Sequence, residues 1–188
     1  MVMKQPEVTE RTRRKLCSAF WKLYSKQPVE KITVKQITDL AGYNRATFYL
    51  YYDGVRDLLE REEERLIAQR ADVIDEQVIG TDGSGSVRIN LAAFLEQTRK
   101  DAPYIAILLG PHGDPDFASK IREFASPLVP SLAEGGHSEG KPGEYLREFY
   151  LSGVIALVRT WLADPDPMPI DELTELIVST FIPNATLE

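Results

Sequence analysis

The chain has 188 residues, 43% of them hydrophobic and 27% charged, with a formal charge of −7, one Cys and two His. That composition supports one or two globular domains, excludes disordered and fibrous classes, and leaves too few thiols and imidazoles for a disulfide framework or for a zinc site of two cysteines and two histidines, or of four cysteines, within one chain. The charge is a sum of opposites: residues 1–52 carry ten basic groups against four acidic ones, a net +6, while the remainder carries twelve against twenty-five, a net −13. Such asymmetry suggests a basic nucleic-acid or membrane module joined to an acidic partner domain.

Residues 1–15 are polar and basic without the apolar core of an export signal, and no run approaches the roughly 18 apolar residues of a membrane span. A reduced, cytoplasmic protein that does not enter a membrane is expected. Lys4, Arg11, Arg13 and Arg14 form either a DNA-touching arm or a solvated terminus. Leu16, Ala19, Phe20, Leu23 and Tyr24 follow the apolar stripe of an amphipathic helix from about Thr9 to Lys26. Cys17 lies beside that stripe and reads as a small buried residue, with no second Cys to resolve an oxidised form.

Thr33 followed by Gln36 is a capping-box signature, opening a short helix through Leu40 in which Val34, Ile37 and Leu40 share a face. Gly42 stops it, and Asn44 can cap a third helix from Arg45 to about Leu50. Asp53 or Gly54 begins a longer helix, with Val55, Leu58, Leu59, Glu62, Leu66, Val73 and Val78 passing without a breaker until Gly80. Its span would be some 37 Å at roughly 1.5 Å per residue, enough to connect two domains.

Gly80 to Ser86 reads as an interhelix loop, and Ser86 can cap a helix from Val87 to Lys100. Ten of the twelve prolines follow residue 102 and divide the rest into helices of differing length. The Gly-rich stretch from Leu132 to Gly143 reads as a loop, and Tyr145 to Ala163 as the most apolar helix. No strand is needed. The fold expected is all-α, about nine helices in all.

Two short helices joined at Ala41-Gly42-Tyr43, behind a longer one and inside the basic segment, are what a helix-turn-helix requires. Ile37, Ala41 and Phe48 supply its small core. The second helix can then enter the major groove with Arg45 as a bidentate donor for guanine, Ala46 as an apolar contact for a thymine methyl, and Thr47 and Tyr49 as hydroxyl donors. Thr33 and Lys35 begin the preceding helix, where backbone N–H groups and the dipole favour phosphate. The alternative for Arg45, Thr47 and Tyr49 is the solvated face of an ordinary helix.

The run Ile32-Thr-Val-Lys-Gln-Ile-Thr-Asp-Leu-Ala-Gly-Tyr-Asn-Arg-Ala-Thr-Phe-Tyr-Leu-Tyr-Tyr52, followed by Asp57-Leu58-Leu59, resembles the DNA-binding domain of TetR-type transcriptional regulators. The resemblance covers about residues 9–60. Leu108 to Phe117 and the Gly153 to Trp161 helix are similar to a regulatory domain found in one branch of that family. The resemblance implies phosphate contacts from Thr33, Thr47 and Tyr51, groove contacts from Arg45, Ala46 and Tyr49, and core roles for Phe48 and Tyr52. Lys35 and Asn44 complete this interface. Val55 stands where the family has a phosphate-binding lysine, so Arg56 or the helix N-terminus would take its place. Leu50 replaces a common polar residue and Tyr51 a common histidine.

The domains expected are a helix-turn-helix head over residues 1–52 and a helical effector-binding and dimerisation domain over residues 53–188. Phe94, Thr98, Tyr104, Leu108, His112, Phe124 and Tyr150 are candidate liners of an effector pocket, with hydrophobic core, or an exposed loop for His112, as the other reading. Leu146, Phe149, Gly153, Val154, Leu157, Trp161, Leu173, Ile177 and Phe181 form an apolar stripe that is either monomer core or a self-complementary interface. DNA binding favours the interface, because one short helix reads too few base pairs while a dimer reads two half-sites about 34–36 Å apart.

Asp114, Asp116, Asp164 and Asp166 each neighbour a proline and read as caps and turns. No nucleophile elbow, phosphate loop or metalloprotease motif occurs in the sequence. The expected function is a DNA-binding regulator, a repressor released by a small-molecule effector, with no enzymatic activity and no cofactor. The rival is a TetR-like adaptor that no longer touches DNA.

Overall fold

A computed structural model of the chain describes residues 6–73, 80–81, 87–88, 91–125 and 140–181. Among these are the helices α1 (Pro6–Tyr24), α2 (Val34–Ala41), α3 (Arg45–Tyr49), α4 (Val55–Val73), α5 (Leu91–Lys100), α6 (Ala102–Leu108), α7 (Pro115–Ala125), α8 (Gly140–Ala163) and α9 (Ile170–Phe181), with one 3-10 turn at Val29–Lys31. The all-α expectation holds. The only strands among the described residues are β1 (Gly80–Thr81) and β2 (Val87–Arg88), an antiparallel pair in which Gly80 faces Arg88 and Thr81 faces Val87.

That pair corrects the expected helix from Val87: α5 begins at Leu91 instead. Thr81 and Val87 are β-branched and suit extended backbone. Ser86, the cap expected there, lies outside the described residues, as do Val78, Lys4 and His137. The expected loop up to Gly143 is also corrected, because α8 begins at Gly140. Pro142 falls in its first turn, where a missing N–H breaks no helical hydrogen bond.

The chain divides into two compact units, one of Met1–Arg65 with Gly110–Gly113, the other of Leu66–Leu109 with Asp114–Glu188. The first unit thus runs past Tyr52 to Arg65, because the opening turns of α4 bury Leu58 and Leu59 in the head. Its core joins these to Leu16, Phe20, Trp21 and Tyr24 of α1, Ile37 of α2, Phe48 of α3 and Tyr52. Leu40, expected on the apolar face of α2, is 46% exposed. Thr38 takes the buried position beside Ile37, its hydroxyl satisfied by the Val34 carbonyl at 3.0 Å.

In the second unit a core of Leu95, Val158, Trp161, Leu173, Ile177 and Val178 is built by α5, α8 and α9, with Leu91, Tyr150, Val154, Leu157, Leu162 and Ile170 packed on it. The Trp161 indole N–H donates to the Met168 carbonyl at 2.7 Å, closing the α8–α9 turn. Arg70 of α4 is buried, donating to the Leu66 carbonyl and to Asp101, which lies 3.5 Å away. No helix among the described residues is long and apolar enough to cross a membrane.

Candidate nucleic-acid interface

The head presents α3 through three local devices, each readable in the residues that make it. Thr33 and Gln36 close a reciprocal capping box at the start of α2: the Gln36 N–H donates to Thr33 Oγ1 at 3.3 Å, and the Thr33 N–H donates to Gln36 Oε1 at 2.8 Å. Gly42 ends α2 at φ 74°, a left-handed conformation that glycine adopts without strain, and the Tyr43 N–H reaches back to the Thr38 carbonyl at 2.9 Å. Asn44 then caps α3, its Oδ1 accepting from the Thr47 N–H at 2.8 Å and from the Thr47 hydroxyl at 3.0 Å. Asn44→Ala is expected to lower head stability by about 1 kcal/mol and to loosen α3, measurable by urea unfolding.

With both ends fixed, Phe48 turns inward and Arg45, Ala46 and Tyr49 turn outward, all three exposed, Tyr49 by 57%. Leu50, 66% exposed, extends this face beyond the helix end. Thr33 is exposed, and so is Lys35, which pairs with Asp39 one turn on at 3.0 Å. A surface pair of this kind is worth little, so the ammonium stays available to phosphate. Thr47 is half-buried with its hydroxyl turned to Asn44, so both act first in the cap. Tyr51 is half-buried, and Arg56 is exposed beside Glu60, 3.5 Å away. Lys15 of α1 lies 5.8 Å from the Tyr43 ring centroid, a cation–π contact that ties α1 to the turn.

Behind α3 lies a polar cluster formed by residues that do not face the groove side of the helix. The Cys17 thiol donates to Glu62 Oε1 at 3.4 Å and lies 3.2 Å from the Tyr52 hydroxyl. The Trp21 indole N–H donates to Glu62 Oε2 at 3.1 Å, as does Arg65 at 3.1 Å. The signal in the sequence is Glu62 itself, a carboxylate at an apolar-stripe position of α4.

Burial, and then the charge of Glu62, push the Cys17 thiol up from its ordinary value of 9.0 to about 12. Burial also raises the Tyr52 phenol. The thiol is therefore a protonated donor and not a reactive thiolate, although Cys17 is half-buried and not the fully buried residue expected. Its neutral form is favoured by folding, so this contribution is complete below the unfolded value and is lost as pH rises through the folded one. Wild-type protein should lose about 1.4 kcal/mol more stability per pH unit above about 9 than Cys17→Ala, compared by urea unfolding between pH 9 and 11.

The expected effector liners differ in burial. Leu108 and Thr98 are buried, the Thr98 hydroxyl donating to the Phe94 carbonyl at 2.8 Å. Phe94, Tyr104, Phe124 and Tyr150 are half-buried. His112 is exposed and belongs to the first unit through Gly110–Gly113. The expected interface stripe divides as well. Trp161, Leu173 and Ile177 are spent on the chain's own core, and Val154 and Leu157 pack on its edge. Leu146 and Gly153 are half-buried and Phe149 is 66% exposed, while the side chain of Phe181 lies outside the described residues.

Comparison with known proteins gives one family match: residues 90–182 fit the TetR model described as "Transcriptional regulator C-terminal region". No curated protein matches the chain. Among solved structures, the chain is similar to a TetR transcriptional regulator from Streptococcus agalactiae at 24% identity and a TM-score of 0.68, over 94% of this chain and 96% of that one. It is also similar to the dihydroxyacetone kinase operon activator DhaS, at 17% identity and a TM-score of 0.56 over 92% and 94%. NalD, the secondary repressor of the MexAB-OprM multidrug efflux pump in Pseudomonas aeruginosa, matches at 15% identity and a TM-score of 0.57 over 92% and 96%.

Proposed function

Because the chain belongs to the TetR family of transcriptional regulators, we propose that it works in the cytoplasm as a homodimer on a pseudo-palindromic operator, as a repressor released by a small-molecule effector. The observation that carries the DNA half of this reading is the outward face of α3: Arg45, Ala46 and Tyr49 exposed on a helix held at both ends, in a segment of net charge +6. The roles fall out by chemistry. Arg45, Ala46 and Tyr49 meet base edges, Thr33, Lys35, Thr47, Tyr51 and Arg56 meet phosphates, and Asn44 holds the helix that presents them.

The dimer follows from reach, since two heads supply two half-sites. Its proposed surface is the exposed side of α8, with Tyr145 and Phe149, and Leu176 of α9. Effector control is proposed to act through α4, whose 19 residues span about 28 Å and belong in part to each compact unit. An effector shifts operator affinity only by its differential affinity for the two states, and the half-buried Phe94, Tyr104, Phe124 and Tyr150 favour an apolar, aromatic-compatible ligand. Release marks a repressor; tightening on effector addition would mark an activator.

The test is fluorescence polarisation with the DNA flanking the protein's own gene, at several salt concentrations. A specific complex is expected, weakening by about 0.9 log units per decade of salt for each phosphate neutralised. Equal, weak binding to every sequence overturns the reading in favour of a partner-binding adaptor.

A further inference from the structure

Tyr52 is the point at which the recognition helix is held. Its N–H returns to the Phe48 carbonyl at 3.1 Å, and its ring packs 5.4 Å from that of Phe48, so any shift of Tyr52 moves the buried side of α3. Arg61 of α4 lies 5.8 Å above the same ring. The Tyr52 hydroxyl stands 3.2 Å from the sulfur of Cys17 on α1.

Satisfying both contacts of the Cys17 sulfur at once assigns the hydrogen atoms of this cluster. The thiol has a single proton, and it goes to the Glu62 carboxylate at 3.4 Å. The Tyr52 hydroxyl must then donate to the sulfur. At the far end Glu62 is filled by Trp21 and Arg65, at 3.1 Å each. The direction is therefore continuous from Tyr52 to Cys17 to Glu62, linking the segment after α3, α1 and the third turn of α4.

We propose that this directed hydrogen-bond chain positions the recognition helix, so that Cys17 and Glu62 are positioning residues for operator recognition and not fillers of the head's core. The inference deepens the operator-binding reading and rests on it. Cys17 is the informative member, because alanine and serine nearly match its volume while only serine can accept from Tyr52 and donate to Glu62. If Cys17 merely fills space, Cys17→Ala should be neutral and Cys17→Ser the worse of the two, since it adds a polar group to a half-buried, largely apolar site. A relay reverses that order.

The experiment compares Cys17→Ala, Cys17→Ser and Glu62→Gln with wild type, measuring affinity for operator and for scrambled DNA together with amide exchange at Tyr51 and Tyr52. Expected are operator binding within about threefold of wild type for Cys17→Ser, and losses of about fivefold for Cys17→Ala and about tenfold for Glu62→Gln, with scrambled-DNA affinity unchanged. Exchange at Tyr51 and Tyr52 should quicken in Cys17→Ala and Glu62→Gln and recover in Cys17→Ser. Equal operator affinities for the alanine and serine variants, or the alanine variant binding better, overturn the relay. Exchange is read without DNA, so a wild type that shows no operator preference overturns the regulator reading, while unchanged exchange overturns the positioning chain on its own.

Discussion

Arg45→Ala is expected to abolish the specific operator complex while leaving the fold intact. A bidentate contact from arginine to guanine discriminates by about 1–3 kcal/mol, and a dimer makes it twice, so the loss is about 2–6 kcal/mol, on the order of 30-fold to 10⁴-fold in affinity. The side chain is exposed and belongs to no cap or core contact of the head. Removing an exposed side chain of this kind changes stability by less than about 0.5 kcal/mol. Affinity for scrambled DNA should fall far less, because only one charge per head is lost from a segment that carries +6. Tyr49→Ala tests the same face with no change of charge, and its salt slope should equal that of wild type. Polarisation titrations against operator and scrambled DNA settle both; an operator affinity within threefold of wild type for Arg45→Ala would move the reading surface off α3.

The head was legible because its determinants are local. Thr33 and Gln36, Gly42, and Asn44 act on backbone groups within a few residues of themselves, and each stands in the structure in the role its residue type predicts. The Cys17–Glu62 contact spans 45 positions, and nothing in local spacing pairs those two residues. What sequence does offer there is the anomaly of a carboxylate in an apolar stripe. The short pairing of Thr81 with Val87 is non-local in the same sense, and an amphipathic pattern that continues into Leu91 and Leu95 conceals where the helix starts. In the second unit the difficulty differs again. Helix α8 is apolar on more than one side, so periodicity identifies stripes without saying which one meets the chain's own core.

That ambiguity sets up the second large effect. Gly143, Leu151, Val158 and Trp161 form the buried side of α8, while Tyr145, Phe149 and Ala156 lie on the opposite side, with Tyr145 73% exposed. Trp161 is packed among Leu95, Val158, Leu173, Ile177 and Val178 and donates its indole N–H to the Met168 carbonyl, so Trp161→Ala opens a cavity and removes the hydrogen bond that closes the α8–α9 turn. A loss of about 3–5 kcal/mol is expected, a large part of a typical domain's stability. Urea unfolding should show it at every protein concentration, since the defect lies within one chain. Phe149→Glu should do the reverse: it places a charge on the proposed surface between two copies, where the side chain is exposed and meets only the edge of the core through Tyr150. Sedimentation should then report monomers of unchanged helix content, and operator binding should weaken because each monomer reads one half-site. A Phe149→Glu protein that remains dimeric would assign the contact between copies to another face. A Trp161→Ala protein of full stability would return that residue to the interface, where apolar periodicity alone had allowed it to stand.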